Sequence, residues 1–218
     1  MIRKAICLRY ISDWRNKRMI KHIITDAGGV TINVKVMELL KKYKPNPFEI
    51  KAIVTVMAGS EEWDKYNKGQ YKDVHEFVDV LKQLYPKYAR MMERAFLDDW
   101  SSYMKPDVKM WQGLAQLKNQ GYDIYMLADI PDELHQIVKK YEGYQILSGG
   151  VFSHEEHMRK PDIRMYQTLL DRYGLKAEEC VMIDDESAYL KPAERLGMKT
   201  IRFTNADDTM KKLHELLK

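Results

Sequence analysis

The sequence IITDAGGV, residues 23–30, carries an apolar run directly into an aspartate and two glycines. A run rich in β-branched residues predicts a buried strand, and Asp26 then stands at its carboxyl end. Open α/β folds bind their ligands beyond the carboxyl ends of parallel strands. Gly28 and Gly29 allow the backbone to turn tightly and to approach a bound anion or metal. The stretch therefore predicts a ligand site around Asp26.

Similar apolar runs that end in short polar residues recur further along the chain. Further strands are predicted at residues 123–127 (DIYML), 180–183 (CVMI) and 200–203 (TIRF). Apolar residues at helical spacing predict helices at residues 108–119, 161–173 and 207–217. Strands that alternate with helices indicate an α/β fold with a Rossmann-like parallel sheet.

Residues 34–104 differ from the rest, because they have long helix-periodic stretches and no strand alternation. We expect an inserted all-helical cap of about four helices there. The α/β core is then predicted at residues 20–33 and 105–218, after a basic N-terminal extension at 1–19. At the return point, Pro106 is expected to end the preceding helix and Asp107 to cap the next.

Composition limits the classes of partner. The 218 residues carry 36 Lys and Arg against 32 Asp and Glu, and a net charge of +4 is too small to favour nucleic acid or membrane binding. Cys7 and Cys180 lie far apart and give neither a disulfide framework nor a thiolate metal site. No apolar run approaches the roughly 20 residues that span a bilayer. We expect a cytoplasmic protein with a small or moderately acidic partner.

Four short motifs follow one another in an order that one superfamily shares. They are residues 26–29 (DAGG), 127–129 (LAD), 158–162 (MRKPD) and 183–185 (IDD). Between about residues 20 and 205 the chain resembles the haloacid dehalogenase-like (HAD-like) hydrolases. It is most similar to the branch of small-phosphomonoester phosphatases that has a helical cap and a first motif reading Asp-x-Gly.

This resemblance implies a Mg²⁺-dependent hydrolysis of a small phosphorylated metabolite, with Asp26 as the nucleophile that forms an aspartyl-phosphate. Lys160 would neutralise the phosphate and the nucleophile. The implied metal ligands are Asp26, the Gly28 carbonyl and Asp184, while Asp185 would bind indirectly or orient a metal-bound water. The implied phosphate or substrate contacts are Gly29, Ala128, Asp129 and Arg159.

Three positions depart from the common pattern of the family. Gly28 stands where many of these phosphatases have an acid–base aspartate, whose help is typically worth roughly 10²- to 10⁴-fold. Ala128 replaces a Ser or Thr that donates a hydrogen bond to the phosphoryl group. Tyr189 stands where the family often has Asn. These departures bear on activity rather than on the fold.

Two alternative functions follow from the departures. Because Gly28 and Ala128 lack the functional groups that usually stand at these positions, the chain would be a catalytically weak or inactive HAD-like protein. Such a protein would use its site for binding or regulation. A metal-independent haloacid dehalogenase is less favoured, because Asp184 and Asp185 keep an acidic pair suited to a metal. A metalloprotease zinc helix at residues 154–157 (HEEH) is not expected, since the HExxH motif needs one more residue between its histidines.

Overall fold

A computed structural model describes residues 20–217 of the chain. The predicted basic extension at residues 1–19 lies outside these described residues. The strands, in chain order, are β1 (His22–Thr25), β2 (Ile32–Val34), β3 (Met104–Pro106), β4 (Asp123–Ala128), β5 (Gly149–Phe152), β6 (Cys180–Asp184) and β7 (Lys199–Arg202). Five of them form a parallel sheet in the order β5-β4-β1-β6-β7, and β2 pairs antiparallel with β3.

The register of the central strand positions the chemically important residues. Thr25 at the end of β1 is paired with Met126 of β4 on one side and with Ile183 of β6 on the other. Asp26 follows Thr25, and Asp184 follows Ile183, so both carboxylates emerge side by side at the carboxyl edge of the sheet. The change in strand order beside β1 makes this edge the expected ligand site of an open α/β sheet.

The segment after β2 is helical, as predicted, but it holds more helices than expected. Its α-helices are α1 (Val36–Lys42), α2 (Pro47–Met57), α3 (Glu61–Asn67), α4 (Val74–Leu84) and α5 (Ala89–Phe96). Asn46 caps α2 with a full capping box, and Ser60 caps α3. Gly69, with φ of 62°, and the cap residue Asp73 separate α3 from α4. These local signals explain the additional break.

The chain leaves the core and returns to it through the β2–β3 ribbon. Ile32 pairs with Pro106, and Lys35 N–H donates to the Tyr103 carbonyl. The expectation that Pro106 ends a helix is therefore wrong, because Pro106 lies in β3 and residues 97–103 separate that strand from α5. Asp107 does cap the next helix as predicted, since its side chain accepts from Met110 N–H.

The core helices cover both faces of the sheet. They are α6 (Val108–Asn119), α7 (Asp132–Val138), α8 (Ser153–Glu156), α9 (Ile163–Tyr173), α10 (Ser187–Leu196) and α11 (Ala206–Leu216). Ile23 and Ile24 of β1 belong to two separate apolar clusters, since successive side chains of a strand point to opposite faces. This arrangement confirms the predicted Rossmann-like α/β fold. Among residues 20–217, no helix is both long and apolar enough to cross a membrane.

The edge strand β5 has no clear signal in the sequence. Its first two residues are glycines, which have little preference for strands. The Tyr173 hydroxyl accepts from Gly150 N–H at 2.9 Å and donates to the Gly150 carbonyl at 3.0 Å. A Cβ at Gly149 would lie 2.4 Å from the Tyr173 ring. The glycines are thus explained by the close approach of a side chain from α9.

The packing of α6 gives a test of the core. Leu114 is fully buried, and Val108 on the same helix is 59% exposed. We expect Leu114→Ala to lower the free energy of unfolding by about 2–5 kcal/mol, because it leaves a cavity. The matched change Val108→Ala is expected to stay within about 0.5 kcal/mol of the parent. Urea unfolding followed by circular dichroism measures both, and equal losses would contradict this packing.

Candidate active site

A buried lysine joins the ends of the two central strands. Lys160 is 2% exposed, and its Nζ lies 2.8 Å from Asp26 Oδ1 and 2.7 Å from Asp184 Oδ2. The two carboxylates raise the pKa of Lys160 above its ordinary value, although burial opposes them. Lys160 therefore stays an ammonium ion. The ionic contacts bring together three of the residues that the sequence singled out.

A third carboxylate gives the site more negative than positive charge. Oxygen atoms of Asp26, Asp184 and Asp185 all lie within 4.8 Å of one another. Burial raises the pKa of Asp26, as does the negative charge of Asp184, against the opposing effect of Lys160. Burial also raises the pKa of Asp185. Three carboxylates beside a single ammonium fit a hard divalent cation, which takes oxygen ligands and would restore the charge balance.

The turn after β1 is held by backbone hydrogen bonds. The Ala27 carbonyl accepts from the N–H groups of Val30, Thr31 and Ile32. Gly29 N–H donates to the Ile32 carbonyl at 2.9 Å, and a contact of this residue with phosphate stays a prediction. The bond is part of the turn that positions Asp26.

A different amide of this turn is available to an anion. Within the described part of the chain, Gly28 N–H has no acceptor. It lies two residues after Asp26 and next to the carbonyl that was predicted as a metal ligand. Gly28 is thus the better candidate for a phosphate donor than Gly29.

The residues after β4 anchor the loop that carries Lys160. Asp129 accepts from Lys160 N–H at 2.9 Å and from Arg159 Nε at 3.1 Å. Arg159 also lies 3.4 Å from Asp64 of α3. The Asp129 carboxylate and much of the Arg159 charge are therefore committed to protein contacts, while Asp129 N–H has no acceptor among residues 20–217. A substrate contact through Arg159 stays a prediction.

Ala128 ends β4 and is fully buried. Its side chain offers no donor, as the sequence indicates. Thr25 and Thr31 bring hydroxyls near this edge, but both donate to the Asp26 carbonyl at 3.0 Å. Neither hydroxyl therefore substitutes for the donor missing at Ala128.

Tyr189 has a role in the site that the sequence did not identify. Its ring centroid lies 4.9 Å from Lys160 Nζ, a distance at which the ring face attracts a cation. Its backbone carbonyl accepts from the Tyr166 hydroxyl at 2.5 Å, which fixes the start of α10 against α9. The only sequence signal is its difference from the family's usual Asn, and nothing in the local pattern indicates that Tyr189 covers Lys160.

A cavity of about 500 Å³ opens beside Lys160. It lies between α3 and the loop before α9, and the charged residues that line it are Asp64, Lys68, Arg159, Lys160, Asp162 and Arg164. Lys68 pairs with Asp64 at 2.6 Å. His157 also lines the cavity, and its Nδ1 donates a hydrogen bond to the Lys68 carbonyl at 2.8 Å. The cavity is large enough for a small metabolite and is bordered by the helical segment.

The aromatic residues of the helical segment mostly belong to its core. Tyr66 and Trp100 are buried, and Trp63, Tyr71 and Tyr103 pack against the same cluster. The part of the segment that lines the cavity is instead polar, around Asp64 and Lys68.

Gly29 gives a sharp test of the geometry around Asp185. A Cβ at Gly29 would lie 2.3 Å from Asp185 Oδ2, and the φ of 80° is costly for any other residue. Gly29→Ala is expected to lower stability by at least about 1–2 kcal/mol and to displace Asp185. The neighbouring change Gly28→Ala meets no atom within 4 Å and should leave stability nearly unchanged. Urea unfolding of both variants measures the difference, and similar effects would contradict the described turn.

Comparisons with known proteins identify the family of this chain. The model of the haloacid dehalogenase-like hydrolase family matches residues 20–197. The chain is 26% identical over 159 residues to the sesquiterpene phosphatase astK of Aspergillus oryzae, covering 72% of this chain and 80% of that protein. It is also 26% identical over 147 residues to (S)-2-haloacid dehalogenase 4A of Burkholderia cepacia, covering 64% and 63% of the two chains.

A solved structure extends the comparison to the fold. A HAD family enzyme of Bacteroides thetaiotaomicron, in complex with magnesium and inorganic phosphate, is 23% identical with a TM-score of 0.65. The match covers 85% of this chain and 94% of that chain, and at this identity it supports the fold alone. The family model spans most of the chain and all four predicted motifs. The chain therefore belongs to the haloacid dehalogenase-like hydrolases.

Proposed function

We propose that this protein is a Mg²⁺-dependent phosphatase that hydrolyses a small phosphorylated metabolite through an aspartyl-phosphate on Asp26. The observation that carries the proposal is the cluster of Asp26, Asp184 and Asp185, in which the first two carboxylates pair with the buried ammonium of Lys160. A phosphate monoester is a dianion, so an acidic site can accept it only together with additional positive charge. The phosphatase relative and the magnesium and phosphate complex of the structural neighbour support the same reading.

The chemistry would proceed in two displacements. An Asp26 oxygen forms a bond to phosphorus while the bond between phosphorus and the ester oxygen breaks, and the leaving alkoxide takes a proton. Water then attacks phosphorus, the bond to Asp26 breaks, and inorganic phosphate and the free carboxylate result. Gly28 has no group to protonate the leaving oxygen, so solvent or a substrate with a good leaving group must compensate.

Each surrounding residue would assist this exchange. The ammonium of Lys160 attracts the phosphoryl oxygens and orients Asp26, and Tyr189 limits where that ammonium can move. Gly28 N–H and Asp129 N–H are the free donors for phosphate oxygens. Held by Asp26, Asp184 and the Gly28 carbonyl, Mg²⁺ would neutralise charge and align the phosphate, with Asp185 orienting its water.

The helices between residues 34 and 104 would act as the cap. Asp64 of α3 and Lys68, which follows this helix, line the cavity beside Lys160, so movement of the helix would alter access to the site. Closure over a bound substrate would exclude bulk water from the acyl-phosphate. The position of α3 makes it the best candidate for a specificity element.

Two further functions compete with this proposal. Gly28 and the buried Ala128 favour a catalytically weak or inactive protein that binds a phosphorylated ligand, because both lack groups that help turnover. A haloacid dehalogenase is the second alternative, because the relative from Burkholderia cepacia has that activity. Such an enzyme would not need the acidic pair Asp184 and Asp185, which makes it the weaker alternative.

The first test is phosphate release from sugar phosphates, nucleotides and an aryl phosphate, with Mg²⁺ or with chelator. Asp26→Asn is expected to lower kcat/KM by at least roughly 10³-fold, because the amide is a poor nucleophile, and chelator should act similarly. Asp207→Asn, at a side chain that is 76% exposed, serves as the matched control and should retain activity. Halide release from a 2-haloacid without Mg²⁺ would support the dehalogenase. Ligand-dependent stabilisation without turnover would support the binding protein.

A second test asks whether Gly28 limits the rate. An added Cβ at Gly28 meets no atom within 4 Å, so a longer side chain fits there. Gly28→Asp is expected to raise kcat, by up to roughly 10²-fold for alkyl phosphates and much less for an aryl phosphate, since only the poor leaving group needs an acid. Gly28→Asn has the same shape but no acid function and should give no increase. Equal rates for the Asp and Asn variants would reject the acid–base explanation.

A further inference from the structure

A second group of metal-binding side chains lies apart from the carboxylates of the catalytic site. It consists of His135 on α7 and the adjacent His154 and Glu155 on α8. Each residue offers a ligand atom, and these atoms lie within 4.8 Å of one another. None of them takes part in the proposed phosphatase chemistry. Two imidazoles with a carboxylate differ in kind from the oxygen-only group around Asp26.

His135 is buried in a state that suits a metal ligand. The residue is 1% exposed, and its Nε2 contacts the Tyr144 hydroxyl at 2.9 Å. Its Nδ1 is buried and has no hydrogen-bond partner among residues 20–217. Burial lowers the pKa of His135 to about 3, so the imidazole is neutral at physiological pH and no proton competes with a metal. A buried polar atom without a partner is uncommon in a folded protein.

His154 is already oriented as metal-ligating histidines usually are. Its Nδ1 lies 2.9 Å from the Ile130 carbonyl, and because a carbonyl can only accept, Nδ1 carries the proton. Its Nε2 lies 3.4 Å from Asp132 Oδ1 and 3.9 Å from Glu155 Oε1. A metal ion bound by Nε2 and Glu155 would be held by a ring whose orientation the backbone carbonyl fixes.

We propose that His135, His154 and Glu155 bind a late divalent transition metal, with Zn²⁺ as the best fit. Two imidazole nitrogens with carboxylate oxygens are a common zinc ligand set. Asp132 and Glu155 are 60% and 43% exposed, so the ion can enter from the solvent side. His135 closes the opposite, buried side.

The position of the group indicates what the metal would do. Ser153, the residue before His154, accepts from Ile130 N–H and donates to the Asn67 carbonyl at 2.6 Å. A Cβ at Gly69 would lie 2.6 Å from the His154 carbonyl, so the turn after α3 rests directly on α8. Zn²⁺ would link α7 to α8 at the point where the helical segment contacts the core. The metal is therefore structural and stiffens this joint.

Electron paramagnetic resonance of Cu²⁺ bound to the tag-free full-length protein tests the site. Nitrogen superhyperfine coupling from two imidazoles is expected at one Cu²⁺ per chain, and excess Zn²⁺ should abolish it. The carboxylates of Asp26, Asp184 and Asp185 contain no nitrogen, so the signal is independent of the phosphatase proposal. Zn²⁺ should also raise the melting temperature of the wild type.

Two variants test the proposed ligands, and a third serves as the control. His154→Ala and Glu155→Gln are each expected to weaken Zn²⁺ binding, measured by calorimetry, by at least about tenfold. His214→Ala removes a histidine on α11 whose Nδ1 contacts only the Met210 carbonyl, and it should bind as the wild type does. Melting curves without metal establish that each variant is folded, and Glu155→Gln changes only a partly exposed side chain. Wild-type binding without nitrogen coupling, or unchanged affinity in both His154→Ala and Glu155→Gln, would overturn the proposal.

Discussion

The buried ion pairs of Lys160 with Asp26 and Asp184 are the interaction on which the rest of the site depends. A charge removed from water is tolerated only when opposite charges and hydrogen bonds surround it. Lys160 is almost completely buried and meets two carboxylates, so it connects the loop before α9 to the ends of two strands. Among residues 20–217, Asp185 has no ion-pair partner of its own, and this imbalance is the physical basis for expecting a divalent cation.

The surrounding structure serves to keep that lysine in position. Asp129 holds the Lys160 backbone, and Arg159 bridges Asp129 and Asp64. Tyr189 covers the ammonium with its ring. The loop is thereby connected to β4, α10 and α3 at once. An anion that binds Lys160 would therefore affect the contacts of both the sheet and the helical segment, and under the proposed function this coupling would favour closure of the cap.

Much of the architecture follows from local sequence. The strand-to-aspartate pattern at Asp26 and Asp184 predicted both carboxylates at one sheet edge, and parallel pairing with β1 has that result. Capping residues such as Asn46 and Asp107 accept hydrogen bonds from backbone N–H groups two or three residues further along the chain. They can be recognised from the sequence because the interaction is local. The sequence alone also shows that Gly28 has no acid group and that Ala128 has no hydroxyl, because the residue type determines which functional groups a side chain carries.

Other features required the tertiary structure. The β5 glycines are explained by Tyr173, and the direction of the Gly29 amide by Ile32. His135 and His154 are 19 residues apart in the numbered sequence, and neither has a motif around it. Residue type and periodicity determine which groups exist and which element carries them, because these depend on neighbours in the chain. Which groups meet is decided by strand pairing and side-chain packing between distant segments, and a local pattern contains no record of those distances.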